Sequence, residues 1–178
     1  IEQLLYVSRI ESGTLPISPK KLYLNAITSH AIAQLQNVIS EHKLIFDEAQ
    51  GLPLIYGDEQ RIAQVLTNLI GNAAKFSQPH TEITLSTHQT GNMVQLDVAD
   101  QGPGIPPDER DRIFEAFHQL ENGSGSHMMR GAGLGLAICK GWIDAQGGTI
   151  WVHDRSGSGT IVSFTLPIAI KPKQVETN

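Results

Sequence analysis

The sequence predicts a two-layer α+β sandwich, in which helices pack on one face of a mixed β-sheet. Stretches with strand periodicity and stretches with helix periodicity are interleaved along the 178-residue chain. Two strand stretches flank a tight turn at Gly91 and Asn92, which predicts an antiparallel hairpin. A hairpin favours a mixed sheet over a doubly wound, all-parallel sheet. The helix after Asp58 is strongly amphipathic and supplies an apolar face for the helical layer.

Start and stop signals place the elements along the chain. Asn25 and Asp58 are of the residue type that caps a helix N-terminus, and Gly147 with Gly148 ends the last helix. The first helix is too short to fold alone, so we interpret it as the end of a truncated element. The predicted order is helix 1–12, strand 22–24, helix 25–42, strand 43–47, helix 58–77, strands 82–87 and 93–97, helix 108–117, helix 134–146, and strands 149–153 and 160–166.

Three stretches lack a regular period. Residues 100–107 are rich in Gly and Pro, residues 118–130 contain a Gly/Ser run, and residues 171–178 are polar. We interpret them as a loop, a mobile loop and a tail, respectively. One domain is therefore expected over residues 14–170, preceded by the remnant of another domain at residues 1–13.

The composition excludes several classes of protein. Lys and Arg total 13 against 18 for Asp and Glu, a net charge of −5, so no nucleic acid is expected as a partner. The single cysteine, Cys139, excludes an internal disulfide and fits a reducing, cytoplasmic location. No apolar run approaches the roughly 18 residues that cross a bilayer. The chain starts without Met inside a helical pattern, so we expect it to be a piece of a longer protein, which could itself be membrane-anchored.

A polar stripe lies on the helix after Asp58. At 100° per residue, Asn68, Asn72 and Lys75 fall within about 60° of each other, away from the apolar face. Amide oxygens suit Mg²⁺, and a lysine ammonium suits phosphate. The alternative is an ordinary solvent-exposed stripe.

Two glycine-rich segments could approach a ligand closely. Asp100 ends a strand, and Gly102 and Gly104 follow it; a carboxylate there could accept from an exocyclic amine. Gly131, Gly133 and Gly135 precede a helix N-terminus, which favours phosphate. The alternatives are a capped turn and a flexible turn. Neither a dinucleotide fingerprint nor a P-loop occurs.

Other residues carry weaker signals. Phe114 and Phe117 are expected in the core, and Cys139 is expected as a small buried hydrophobe. The seven histidines have no metal-ligand spacing.

Together and in this order, these segments resemble the catalytic and ATP-binding domain of bacterial sensor histidine kinases. The matches are N-L-I-G-N-A-A-K-F-S (68–77) to the Asn box, D-Q-G-P-G-I (100–105) to the first glycine box, F-E-A-F (114–117) to the Phe box, and G-A-G-L-G-L-A-I (131–138) to the second glycine box. The opening stretch resembles the end of the dimerisation and phosphoacceptor domain. The resemblance implies the Bergerat-type ATP-binding fold.

The resemblance also implies a role for each matched residue. Asn72 would coordinate Mg²⁺ with Asn68 close by, and Lys75 would reach the triphosphate of ATP. Asp100 would bind the adenine amine together with Thr160. The remaining expected site residues are Gly102 and Gly104 on the adenine side, Gly131, Gly133, Leu134 and Gly135 on the phosphate side, and Arg130, from the lid at 118–130, on the γ-phosphate.

One position separates this chain from other relatives of the fold. Gyrase-type ATPases, heat-shock chaperones and anti-sigma serine kinases have a general-base Glu where this chain has Asn68, which cannot take a proton. The resemblance therefore implies slow hydrolysis and transfer to a histidine. Because none of the seven histidines has a phosphoacceptor context, that histidine would lie on a separate domain.

The resemblance further implies a downstream response regulator as a partner, a monomer for this fragment and a dimer for the parent protein. An ATPase or serine kinase of the same superfamily, and a non-catalytic nucleotide-binding module, stay open as alternatives.

Overall fold

The computed structural model describes residues 15–120 and 132–169. The predicted remnant at 1–13, most of the loop at 118–130 and the tail lie outside these residues. The strands are β1 (Lys20–Leu22), β2 (Lys43–Asp47), β3 (Ile55–Gly57), β4 (Glu82–Thr90), β5 (Met93–Ala99), β6 (Ile150–Asp154) and β7 (Thr160–Pro167), and the helices are α1 (Leu24–Gln34), α2 (Glu59–Phe76) and α3 (Gly135–Ala145). None of these helices is long and apolar enough to cross a membrane.

The main sheet has five strands in the order β2-β4-β5-β7-β6. Only the β2–β4 pair is parallel, and the other three pairs are antiparallel. Strands β4 and β5 form the predicted hairpin, in which Thr90 pairs with Met93 across a two-residue turn. Gly91 has a φ of 58°, the left-handed conformation that such a turn requires. The sheet is therefore mixed, as the sequence predicts.

The helices cover the face of the sheet whose alternate residues are buried. Along residues 82–87 of β4 and along β5, every second side chain is buried, and the apolar ones among them belong to the same cluster as the inner faces of the helices. The amphipathic pattern of α2 explains this packing, because its apolar face is almost completely buried. The buried residues of that face are Ile62, Val65, Leu66, Leu69, Ile70 and Ala73.

Asp58 caps α2 as predicted. Its Oδ1 accepts from the backbone N–H groups of Gln60 and Arg61, at 3.0 and 3.2 Å. Its Oδ2 accepts from the N–H of Ser18 at 2.8 Å, and its own N–H donates to Gln146 Oε1 at 2.7 Å. Asp58 thus fixes the start of α2 to two distant parts of the chain, to Ser18 through its carboxylate and to Gln146 through its backbone N–H.

Helix α1, which was predicted over residues 25–42, differs from the prediction at both ends. Tyr23 occupies the N-cap position, and the side chain of Asn25 instead donates to the Ala49 carbonyl and accepts from Thr87 Oγ1. The helix ends at Gln34, not near residue 42, and turns follow it. In these turns, polar side chains bond nearby carbonyls, as Ser40 Oγ does with Asn37, and such local bonds compete with the helix.

Two other predicted elements also differ, and one strand was not predicted. The first strand lies at β1, two residues earlier than expected, and pairs antiparallel with β3, which has no counterpart in the prediction. The helix predicted at 108–117 consists of two short 3₁₀ turns, Pro107–Glu109 and Arg112–Phe114. Pro106 and Pro107 explain the first of these, since proline lacks the N–H that an α-helix uses.

Candidate functional site

A cavity of about 380 Å³ lies between α2, the end of β5 and the segment that leads into α3. Most of the predicted site residues line it. These are Asn68, Asn72, Lys75, Asp100, Gly104, Gly133, Leu134, Gly135 and Thr160. Gly102 lies behind the wall rather than in it, and Arg130 and Gly131 lie outside the described residues.

The Asp100 carboxylate is held at one end of the cavity by backbone groups. Its Oδ1 accepts from the N–H of Gly102 at 2.7 Å and from the N–H of Thr160 at 3.2 Å. The second oxygen, Oδ2, takes part in neither bond. Because Asp100 is only 8% exposed, burial raises the pKa of its carboxyl, against the opposing effect of the two N–H donors and of Arg155.

Two glycines surround this carboxylate for reasons of space. A Cβ on Gly102 would lie 3.0 Å from Asp100 Oδ1 and from the Phe76 carbonyl. A Cβ on Gly159 would lie 2.0 Å from the backbone oxygen of Asp100. Both glycines therefore let the chain fold tightly around Asp100, and the role of Gly102 on the adenine side stays a prediction.

The polar stripe on α2 also lines the cavity. Asn72 and Lys75 are half-buried and line the cavity, so the stripe is not an ordinary solvent-exposed one. Lys75 Nζ lies 5.0 Å from the centre of the Phe76 ring. The ammonium group thus adds positive charge to the wall that carries the two amides.

Asn68 is bonded to the neighbouring helix. Its Nδ2 donates to the Gly135 carbonyl at 2.7 Å and to Cys139 Sγ at 3.3 Å. Cys139 is buried, as predicted, and burial raises the pKa of its thiol to about 12, against the opposing effect of the Asn68 donor. The thiol is therefore protonated at neutral pH.

Two residues with positive φ, Phe117 and Gly133, are bonded to each other next to the cavity. Phe117 has a φ of 66°, and its N–H donates to the Gly133 carbonyl at 2.9 Å. Gly133 has a φ of 68°, and a Cβ there would lie 2.8 Å from the His118 carbonyl. This geometry leaves the Phe117 side chain 58% exposed, so its predicted place in the core is wrong, whereas Phe114 packs against the core as expected.

His118 is a cavity residue that sequence reasoning missed. Its side chain is 14% exposed and lines the cavity, with Nε2 bonded to Glu109 Oε2. Glu109 Oε1 accepts from Arg112 at 2.9 Å. The position of His118 directly after the Phe box is the one signal in the sequence that could have indicated it.

The cavity combines apolar walls with one carboxylate and with amide and ammonium groups. Its volume lies in the usual range for small-molecule sites, and Ile105, Ile113 and Val162 supply apolar walls. Within residues 15–120 and 132–169, no group of three or more His, Cys, Asp or Glu side chains could hold a metal ion. A divalent cation here would therefore depend on amide oxygen, as in Asn72, and on oxygens of the ligand itself.

Comparison with known proteins gives the family. The model described as histidine kinase-, DNA gyrase B- and HSP90-like ATPase matches residues 57–170. The chain belongs to this family. Among its curated relatives within the family, the adaptive-response sensory kinase SasA of Crocosphaera subtropica is 37% identical over 171 residues, which cover 94% of this chain and 44% of SasA. The sensor protein KdpD of Escherichia coli is 34% identical over 99% of this chain and 19% of KdpD. The chain thus spans less than half the length of these relatives.

Solved structures of the family agree with the fold. Full-length ShkA in complex with AMPPNP has a TM-score of 0.81 and 30% identity, over 96% of this chain and 36% of that one. The mycobacterial sensor histidine kinase MprB has a TM-score of 0.73 and 27% identity, over 86% and 98% of the two chains. These relatives confirm both the predicted fold class and the predicted resemblance to sensor histidine kinases.

Proposed function

We propose that this domain binds Mg²⁺·ATP in the cavity and donates the γ-phosphate to a histidine on a separate phosphoacceptor domain. The observation that carries the proposal is that one cavity is lined by a buried carboxylate, Asp100, and by the amide and ammonium groups of Asn72 and Lys75. Membership of an ATPase family and the similarity to ShkA, a structure with bound AMPPNP, support ATP as the ligand.

Asp100 selects adenine as the nucleobase. With Oδ1 engaged by Gly102 and Thr160, Oδ2 accepts a hydrogen bond from the exocyclic amine of adenine. Gly104 and Thr160 complete this end of the cavity. A guanine base has a carbonyl in place of that amine, so an ionised Asp100 rejects it.

Lys75 and Asn72 act on the phosphates. Lys75 neutralises part of the triphosphate charge, and the Asn72 amide oxygen holds the metal ion. When bound, Mg²⁺ supplies charge neutralisation and alignment of the phosphates for in-line transfer. The segment Gly131, Gly133, Leu134 and Gly135 brings backbone N–H groups to the phosphates, and Arg130 contacts the γ-phosphate.

A histidine acceptor fits the absence of a general base at Asn68. A neutral imidazole already has a free lone pair, so it attacks without losing a proton first. A carboxamide cannot take a proton from water, so hydrolysis in the isolated domain is slow. In the longer protein, the partners are the phosphoacceptor domain, within a dimer, and a downstream response regulator.

A phosphotransfer assay tests the proposal. The chain is mixed with the phosphoacceptor domain of its own parent protein and with ATP labelled on the γ-phosphate. We expect an acid-labile phosphohistidine on the partner, and none with an Asp100→Asn control. Intact ATP binding without phosphohistidine would contradict the transfer step. Rapid turnover by the chain alone would favour an ATPase, and no Mg²⁺-dependent ATP binding would favour a non-catalytic module.

A further inference from the structure

The carboxamide of Asn68 joins α2 to the first turn of α3. Its Nδ2 lies 2.7 Å from the Gly135 carbonyl oxygen and 3.3 Å from Cys139 Sγ, residues that stand one helical turn apart. A carbonyl oxygen only accepts hydrogen bonds, so the atom facing it must be the amide nitrogen. The opposite orientation would bring two oxygens to 2.7 Å.

This orientation limits what Asn68 can offer to a ligand. The nitrogen carries two protons, and it has two acceptors on α3, so Oδ1 is the carboxamide atom that these bonds leave available. Asn68 can therefore accept from a ligand or its water shell, and it does not donate to phosphate. That property separates it from Lys75 on the same wall.

The first turn of α3 packs directly on the carboxamide. A Cβ on Gly135 would lie 2.7 Å from Asn68 Oδ1 and 2.8 Å from Nδ2. The residues of this turn, Leu134, Gly135 and Leu136, line the cavity, and the N-cap residue Leu134 makes no side-chain capping bond. The contacts with Asn68 therefore help to position the backbone N–H groups of that turn.

We propose that Asn68 is a positioning residue, which holds the N-terminal turn of α3 against the phosphate end of the cavity through Gly135 and Cys139. This inference rests on the proposed function, because it assigns the phosphates to that end. It gives Asn68 a role that does not depend on Mg²⁺, in contrast to Asn72. It also makes Cys139 part of the tether, although the thiol lies behind the cavity wall and is not among the residues that line it.

Calorimetry with ATP, in Mg²⁺ and in EDTA, distinguishes the role of Asn68 from that of Asn72. We expect Asn68→Ala to weaken ATP binding about 10-fold in both conditions, because the helix turn moves whether or not the metal is present. The contrasting variant, Asn72→Ala, should lose the gain in affinity that Mg²⁺ gives, whereas Asn68→Ala should retain that gain. An Asn68→Ala variant with wild-type affinity in EDTA would overturn the proposal in favour of a metal ligand.

The thiol is tested by a pair of substitutions. Cys139→Ala removes an acceptor and should weaken ATP binding about 3-fold, whereas Cys139→Ser keeps an acceptor and should restore it. The double variant with Asn68→Ala should bind no more weakly than Asn68→Ala alone, since both changes break the same tether. Additive losses of ATP affinity in the double variant would contradict a shared tether. Ile143→Ala, another buried truncation on α3, controls for lost stability and should leave the affinity unchanged.

Amide hydrogen exchange tests the tether without any nucleotide. Asn68→Ala should increase exchange in the first turns of α3 and leave the exchange of β4 and β5 unchanged. Unchanged exchange in α3 would overturn the tether itself. A wild-type chain that binds no ATP, with the exchange effect present, would instead contradict the proposed function.

Discussion

Asp100 and Thr160 hold each other by two hydrogen bonds. The N–H of Asp100 donates to the Thr160 carbonyl at 2.9 Å, and the N–H of Thr160 donates to Asp100 Oδ1 at 3.2 Å. Asp100 directly follows β5 and Thr160 begins β7, and these two strands are paired along the whole of β5. The carboxylate is therefore oriented by the sheet before any ligand arrives, which lowers the entropic cost of binding.

Replacing Asp100 by Asn should shift the nucleotide preference from ATP towards GTP. The new amide oxygen can still accept from Gly102 and Thr160, so the fold is retained, but Nδ2 then presents a donor to the adenine amine. We expect ATP affinity to fall about 100-fold, the loss of one charge-assisted hydrogen bond plus an unpaired donor. GTP, with an acceptor at that position, should gain relative to ATP. Titration with both nucleotides measures this, and an unchanged ATP-to-GTP ratio would contradict the role of Asp100.

The pH dependence of ATP binding should follow the Asp100 carboxyl. Burial raises its pKa above the ordinary value of 3.8, and the ionised form is the stronger acceptor for the adenine amine, because protonation of Oδ2 puts a donor where the amine binds. ATP affinity should therefore decline on acidification at a higher pH than an ordinary aspartate would produce. Asp100→Asn should lack this decline, and a decline that persists in the variant would assign it to another group.

The raised pKa of Asp100 has the opposite effect on folding: acidification weakens ATP binding but stabilises the folded state. Protonation of Asp100 favours the folded state, so its contribution is complete below the unfolded-state pKa and is lost as the pH rises through the folded-state pKa. Denaturant unfolding of the wild type and of Asp100→Asn, compared across that window, should show the wild type losing stability relative to the variant as pH rises.

Lys75 should matter only for ligands with phosphates. We expect Lys75→Met to keep most of the apolar contact with Phe76 and to weaken ATP binding about 30-fold through the lost charge. Adenosine should bind the variant as it binds the wild type. An equal loss for both ligands, measured by calorimetry, would place Lys75 at the base end of the cavity instead.

Asp58 should contribute to stability without a role in binding. Asp58→Ala removes the acceptor for Gln60 and Arg61 and the bond from Ser18, so the free energy of unfolding should fall by about 2 kcal/mol. Denaturant titration measures the loss. At temperatures where the variant is folded, its ATP affinity should equal that of the wild type, since Asp58 is not part of the cavity wall.

Elements with a strong local sequence pattern could be predicted from the sequence. The apolar face of α2 fixes which side of that helix is buried, and helix geometry then places Asn72 and Lys75 on a common wall. The hairpin of β4 and β5 followed from one two-residue turn. The convergence of Asp100 with Thr160, sixty positions later, came from the family resemblance, because no local pattern indicates it.

The parts that depend on tertiary contacts were not predictable. Strand β3 has three residues, too few to establish a period. Asn25 has the chemistry of a cap, but a carbonyl at Ala49 and a hydroxyl at Thr87 recruit its side chain. The exposure of Phe117 depends on its bond to Gly133, across the segment that leads into α3.

The most direct measurement is a crystal structure of this chain with a non-hydrolysable ATP analogue and Mg²⁺. We predict the adenine amine within hydrogen-bond distance of Asp100 Oδ2, the metal on the Asn72 amide oxygen, and the phosphates beside Lys75 and the first turn of α3. A base bound elsewhere, or a triphosphate that points away from α2, would contradict this assignment.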